Sequence, residues 1–552
     1  MKKVRKYKKQ KNIESLELLN RGITLIALII TIIVMLILAG VVLNLTIGER
    51  GIFKTAQGAG KNYTNASKKE EYELGELEKE TDKILSGIES SDGSFNTKTK
   101  VNIPKLNGTG LIPVIIETNG VTRTANTENE DWYSYDGTTN KWANAVTKNT
   151  LGEITGYFVW IPRYAYKITY TNVNDKSAGG TIDIVFLQGT TNKDANGKDV
   201  TSAEYIDEKG NTGSYIVHPA FTDESKTGYQ NGGWDSELSW FWVAKFEAGY
   251  DGTAGDKTTA TDSNVSLKII NAYNGSSVTN VTSDYYGTRT IGDKIKYPVF
   301  KANRPSMIYI GISDAYDLCL DIKNGTSVYG LRNVDSHMIK NSEWGAVAYL
   351  THSKYGRNGQ KVTINNVTVS GESMVYAITG YGASNVNASG DASRALETLL
   401  TEGQTGSWTT EQGQNASSTG NIYGIYDLNG GEFEFTSGYI ETAGNYETFG
   451  GNLKGESSKY KTKYDGTSSE SVNYKKSLNF TRVGEAIWEI SNQGTGTSSW
   501  NKEYSTFVSY YYPFLIRSGD WNDTFSEGVF SFVNDGGYGN YRVGFRLILI
   551  AE

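Results

Sequence analysis

The sequence predicts an α+β protein: one long N-terminal helix, then a β-rich domain with a few short helices and long polar loops. Three observations carry that reading. Ile23 to Ile47 is an uncharged run of 25 residues. Behind it, Tyr63, Ala66, Leu74, Leu77 and Ile84 recur at helical spacing opposite a charged face, as in an amphipathic helix. The remainder holds short aromatic and β-branched runs separated by Gly, Asn, Ser and Thr. With 62 Gly, 37 Tyr and 11 Trp but only 7 Pro in 552 residues, it reads as folded β structure, not a disordered stalk.

The uncharged run comes first. At about 1.5 Å per residue it spans about 37 Å as a helix, enough to cross a bilayer core of about 30 Å. Lys2, Lys3, Arg5, Lys6, Lys8, Lys9 and Lys11 precede it, and positive flanks stay cytoplasmic. The expected localisation is therefore the cytoplasmic membrane, single-pass, with the large domain extracellular. A secretory signal peptide has a shorter apolar core; an uncleaved signal anchor fits the same physics. A second helix is expected from about residue 52 to 85, after Gly48 and Gly51 weaken the first.

Gly22 followed by Ile23-Thr24-Leu25 behind a basic leader resembles the processing site of type IV prepilins. The resemblance implies cleavage between Gly22 and Ile23 by a prepilin peptidase, methylation of Ile23, and other pilin subunits as partners. Shaft-forming pilins carry Glu at the fifth mature position, where it neutralises a neighbour's terminal amine. This chain has Ala27, and a buried ammonium without a partner is costly, which argues against a bulk shaft subunit.

Charge and residue counts exclude several functions. The leader, residues 1–22, carries eight Lys/Arg and two Glu, so its removal takes the formal charge from −7 to −13. So acidic a chain repels phosphates, and no nucleic-acid partner is expected. The single cysteine, Cys319, excludes an intrachain disulfide, and His218, His337 and His352 lack metal-site spacing. Neither a Gly-x-Ser-x-Gly elbow nor a phosphate loop occurs.

The expected organisation is a leader (1–22), a pilin-like helix (23–86), a linker with a small β region (87–155) and a large domain (156–552). Within the linker, Leu111–Glu117 reads as a buried strand and Asp136-Gly137 as a hairpin turn. In the large domain, YFVWIPRYAYKITY, TIDIVFLQ, LSWFWVAKFEAGY and FRLILI are strand signals. Ser313–Ile322 and Asn341–Tyr355 are helix candidates, with Ser313 and Asn341 suited to N-caps. Trp160, Trp344 and Tyr426 are expected in the core, and Gly424, Gly430 and Gly431 at turns of positive φ. Arg546 lies in an apolar strand and must be paired if buried; Glu343 and Glu434 are the candidate partners.

Five segments in order resemble the formylglycine-generating-enzyme-like version of the C-type lectin fold: FVWIPRYAYKI (158–168), RPSMIYIGISDAYDLCLDI (304–322), VDSHMIKNSEWGAVAYLTHSKYG (334–356), NIYGIYDLNGGEFEFTSGY (421–439) and LIRSGDWNDTFSEGVFSFVNDGGYGNYRVGFRLIL (515–549). Catalytic members of that family use paired cysteines near the final segment. Residues 507–552 contain none, so the resemblance implies a binder and no enzyme, with no cofactor beyond structural calcium.

The last segment is also similar to the variable proteins of diversity-generating retroelements, through Arg517, Gly519, Trp521, Gly528-Val529-Phe530 and Gly544-Phe545-Arg546. In that frame Asp520, Asn522, Asp523, Phe525, Ser531, Asn534, Asp535, Gly537, Tyr538, Asn540 and Tyr541 stand where such proteins vary. Together with Trp521 they form the expected ligand-binding face, a mix of adaptable polar groups and aromatic anchors. The resemblance implies adhesion to an extracellular protein or glycan, or alternatively a minor pilin or pseudopilin at the tip of a pilus or secretion-like fibre.

Overall fold

The computed structural model describes residues 95–127, 131–227, 232–249, 290–291, 294–295, 298–308, 310–366, 368–371, 374–382, 406–441, 445–455, 457–477, 483–523 and 526–551, with Ile32 and Met35 besides. Gly22, Ile23, Phe525 and most of the expected N-terminal helix lie outside these. Among the described residues no helix is long and apolar enough to cross a membrane. Residues 1–83 and 84–552 form separate compact units, and among the described residues every strand belongs to the second.

That unit is predominantly β. Besides three small two-stranded hairpins, its strands are β1 (Ile112–Ile116), β2 (Thr122–Thr124), β3 (Asn144–Lys148), β4 (Ile154–Pro162) and β5 (Tyr164–Tyr170). Next come β6 (Gly180–Phe186), β7 (Ile216–Val217), β8 (Trp240–Ala244) and β9 (Val334–Met338). The C-terminal part supplies β10 (Phe433–Ile440), β11 (Thr462–Tyr464), β12 (Phe514–Ser518), β13 (Gly528–Asp535), β14 (Val543–Phe545) and β15 (Leu547–Ala551). The expected α+β class with a long N-terminal helix is thereby corrected. Among the described residues the longest helix is Asn341–His352, of 12 residues, and several antiparallel sheets carry the fold. The physical reason lies in runs such as WFWVA and LILIA. Aromatic and β-branched side chains suit a pleated sheet, and Gly, Asn, Ser and Thr between the runs stop helices from extending.

The largest sheet has seven strands in the order β9-β15-β8-β4-β3-β1-β2, every pair antiparallel. At its centre Trp242 stands opposite both Trp160 and Leu549, and all three are fully buried. Strands β1, β2 and β3, which fall in the range expected as a linker and small β region, belong to this sheet, and β3 pairs with β4 from Asn144 to Lys148. A second sheet of five strands sets β10 between β11 and β12, adds β13 beyond β12, and pairs β14 with β10. A third, of order β6-β5-β7, leaves the first at Arg163.

Arg163 explains why one apolar run makes two strands. Its guanidinium is buried, donates to Phe221 O at 2.9 Å and Leu238 O at 3.0 Å, and pairs with Glu237 at 2.5 Å. The chain turns into another sheet where that side chain is satisfied. Helix α1 (Ile312–Asp321) is capped by Gly311, while the Ser313 hydroxyl bonds to Phe449 O at 2.7 Å. Helix α2 (Asn341–His352) is capped by Lys340, whose N–H donates to the Glu343 carboxylate at 2.8 Å. Neither expected N-cap residue therefore serves as one; Asn341 instead donates to the Tyr464 hydroxyl at 2.5 Å.

Candidate ligand-binding face

Trp160, Trp344 and Tyr426 are fully buried, and around them lies a layer of charge without solvent. Arg546 is buried and takes Glu434 as its partner, with contacts of 2.8 and 2.5 Å, and further donates to Ala244 O and Tyr426 O. Glu343, the other candidate partner, instead holds His337 at 2.9 Å. Lys245, also buried, donates to Asn144 Oδ1 at 3.0 Å and to Ile422 O and Gly424 O at 2.7 Å each. Its Nζ also lies 5.9 Å and 5.5 Å from the ring centroids of Trp408 and Tyr426. Burial pushes the Lys245 ammonium well below its ordinary range and the Glu247 carboxyl well above. Gly430 and Gly431 have φ of 78°, and a side chain on Gly431 would meet Glu247 Oε1 at 2.8 Å. Gly424 does not share that backbone; a Cβ there would meet Thr419 Oγ1 at 2.5 Å.

The three histidines are structural and lie apart. His218 Nδ1 accepts from Ala220 N–H at 3.2 Å, and burial pushes its ring down to about 3. His352 Nε2 sits 3.1 Å from Gly180 O. Among the described residues no group of three or more His, Cys, Asp or Glu side chains is placed to hold a metal ion.

The expected binding residues that are described fall on two connections and on strand β13 between them. The first joins β12 to β13, whose register shifts between Arg517 and Ser518. There Asp520 is fully buried and pairs with Arg542 while accepting Asn522 N–H at 2.9 Å. Asp523 accepts Asp520 N–H at 2.9 Å and Arg542 Nη2 at 3.2 Å. Burial and the Asp520 charge push the Asp523 carboxyl up to about 6. Trp521 is buried and its backbone N–H donates to Gly431 O at 2.7 Å. Asn522 alone of this group is exposed.

The second connection joins β13 to β14. Ser531, within β13, is buried; its hydroxyl lies 3.0 Å from Tyr504 O and is hydrogen-bonded to Glu527. Asn534 is half-buried and donates to Phe507 O at 2.9 Å. Asp535, half-buried, accepts Gly537 N–H at 2.6 Å, and burial pushes it up to about 6. Gly537 has φ 83°, which turns the chain. Asn540 accepts Arg542 N–H at 2.8 Å, and Tyr541 packs against the core. Tyr538 is exposed and lies 5.9 Å, ring to ring, from Phe449.

The expected face residues differ in direction. Asp520, Trp521 and Ser531 point inward and set the loops; Asn522 and Tyr538 reach solvent. The sequence reading missed Tyr510, Tyr511 and Tyr512, which are 38 %, 70 % and 47 % exposed. Asn445 ties them to the second connection by donating to Tyr511 O at 2.5 Å and lying beside Gly536. Three tyrosines before Pro513 were the available signal: aromatics ahead of a turn-forming Pro suit an exposed corner. Arg542, the clamp on Asp520 and Asp523, was missed too.

No family model matches the chain, and no curated protein matches it. Among solved structures the chain is similar to Treponema denticola variable protein 1, at 11 % identity over 56 % of this chain and 95 % of that one, with a TM-score of 0.21. A similarity at that score carries no argument about fold or function.

Proposed function

We propose that this chain is a surface-displayed binding protein, held at the membrane or in a pilus by its N-terminal segment. In this reading prepilin peptidase processes it at Gly22–Ile23, and it recognises an extracellular protein or glycan without catalysing a reaction. One observation supports the reading most. Asn522 and Tyr538 stand exposed on connections joined by the Arg542 pairs to Asp520 and Asp523, and Tyr511 and Tyr512 stand exposed ahead of β12, where Asn445 donates to Tyr511 O. Exposed aromatic side chains cost little entropy to order, and a rigid base keeps them presented.

The test is a cell-surface and glycan binding screen of the full chain beside a triple variant, Asn522→Ala, Tyr511→Ala and Tyr538→Ala. Binding by the parent and its loss in the variant, at unchanged thermal midpoint, is the expected result. Equal binding by both would remove this face from the function.

A further inference from the structure

A concave site lies apart from that face. Two adjoining hollows share Lys100, Phe186, Glu208, Lys354 and Tyr355 and have no lining residue in common with residues 520–541. The larger holds about 370 Å³, within the range of about 300–1,000 Å³ typical of small-molecule sites. Five stretches of chain converge on it: the hairpin Phe95–Asn102, the turn at Ser134–Asp136, the end of β6 at Phe186, the loop 194–209 and the residues after α2.

The floor is aromatic. Phe186 and Tyr355 lie 4.7 Å apart, ring to ring, and Tyr135 stands edge-on to Phe186 at 5.6 Å. The rim is charged and internally balanced. Glu208 takes Lys354 at 3.0 Å and Lys100 at 3.9 Å, and Lys209 takes Asp183 at 2.5 Å. The hydroxyls of Tyr205 and Tyr215 are tied to Asp194 and Asp207 at 3.2 and 3.1 Å.

That balance selects the ligand. An ionic group entering the cleft would compete with contacts already made, since Glu208 is shared by Lys100 and Lys354. A hydroxyl can accept from a lysine and donate to a carboxylate while the pair stays intact. The C–H faces of a sugar ring suit the aromatic floor. We propose that the cleft bounded by Lys100, Glu208, Lys354 and Tyr355 binds a short neutral saccharide, with Glu208 at the centre of its hydroxyl contacts.

The experiment is calorimetric titration of the full chain in a non-glycosidic detergent. The probes are triacetylchitotriose and maltotriose, both neutral, anionic sialyllactose and cationic chitotriose. At least one neutral trisaccharide is expected to saturate the protein more tightly than either charged one. Glu208→Ala should weaken neutral binding by about tenfold, the size of one lost charge-assisted hydrogen bond, and strengthen sialyllactose, because two lysines lose their shared carboxylate. Glu208 is 64 % exposed, so the thermal midpoint should not move. Absence of binding by both neutral probes, or an unchanged affinity in Glu208→Ala, overturns the assignment. Loss of saccharide binding in Asn522→Ala/Tyr538→Ala but not in Glu208→Ala would place the sugar on the other face and overturn it as well.

Discussion

Glu527 sits beneath the candidate face, 6 % exposed, accepting from the Ser531 hydroxyl. Burial, with Asp523 and Glu503 nearby, pushes its carboxyl up to about 9 against the Ser531 hydrogen bond. The folded protein thus keeps Glu527 protonated at pH 7, whereas in the unfolded chain it ionises near its ordinary value of 4.5. A carboxyl raised on folding gives stability that is full below about pH 4.5 and declines as pH rises toward 9. At pH 7 the loss is about two and a half pKa units, or about 3.5 kcal/mol at about 1.4 kcal/mol per unit. Glu527→Gln keeps the shape and an acceptor for Ser531 but cannot ionise. It should therefore match the parent at pH 4.5 and exceed it by about 1–3 kcal/mol at pH 7. Urea unfolding followed by tryptophan fluorescence between pH 4.5 and 8.5 measures this directly. A variant that is less stable at pH 7, or that keeps the parent's pH dependence, would refute the reasoning.

Three further outcomes are expected. Glu434→Ala should cost about 3–5 kcal/mol in urea unfolding, because it leaves the buried Arg546 guanidinium without its carboxylate. Gly431→Ala should lower the thermal midpoint by the equivalent of about 1–3 kcal/mol, since its φ of 78° and the Glu247 contact both oppose a Cβ. Tyr511→Ala, at 70 % exposure, should change stability by no more than about 0.5 kcal/mol while weakening any ligand of the C-terminal face by tenfold or more, about 1.4 kcal/mol.

What the sequence made legible was local. The runs that form β1, β6, β8 and β15 read as strands because their side chains suit a pleated surface whatever their neighbours are. Arg546 could be marked as needing a partner, because burial in an apolar strand demands one. Its choice of Glu434 over Glu343 could not, since it rests on β10 running parallel to β14 and bringing Glu434 opposite Gly544. The break at Arg163 was hidden for a similar reason: Glu237 and the two carbonyls that satisfy it come from distant parts of the chain. On the binding face the residue types were readable, but their direction was not. Asp520 turns inward because Arg542, twenty-two positions later, is there to meet it.

The seven-stranded sheet also dictates a timetable. β8 has β4 on one side, but its other neighbour is β15, and the paired residues Val243 and Ile548 are about 300 positions apart. During synthesis the WFWVA strand waits for most of the chain to be made before that edge can close. An open, apolar, aromatic edge invites pairing with other chains. For a protein of this topology the hazardous interval precedes completion, and whatever keeps that edge unengaged until residue 547 arrives governs how much protein reaches its final state.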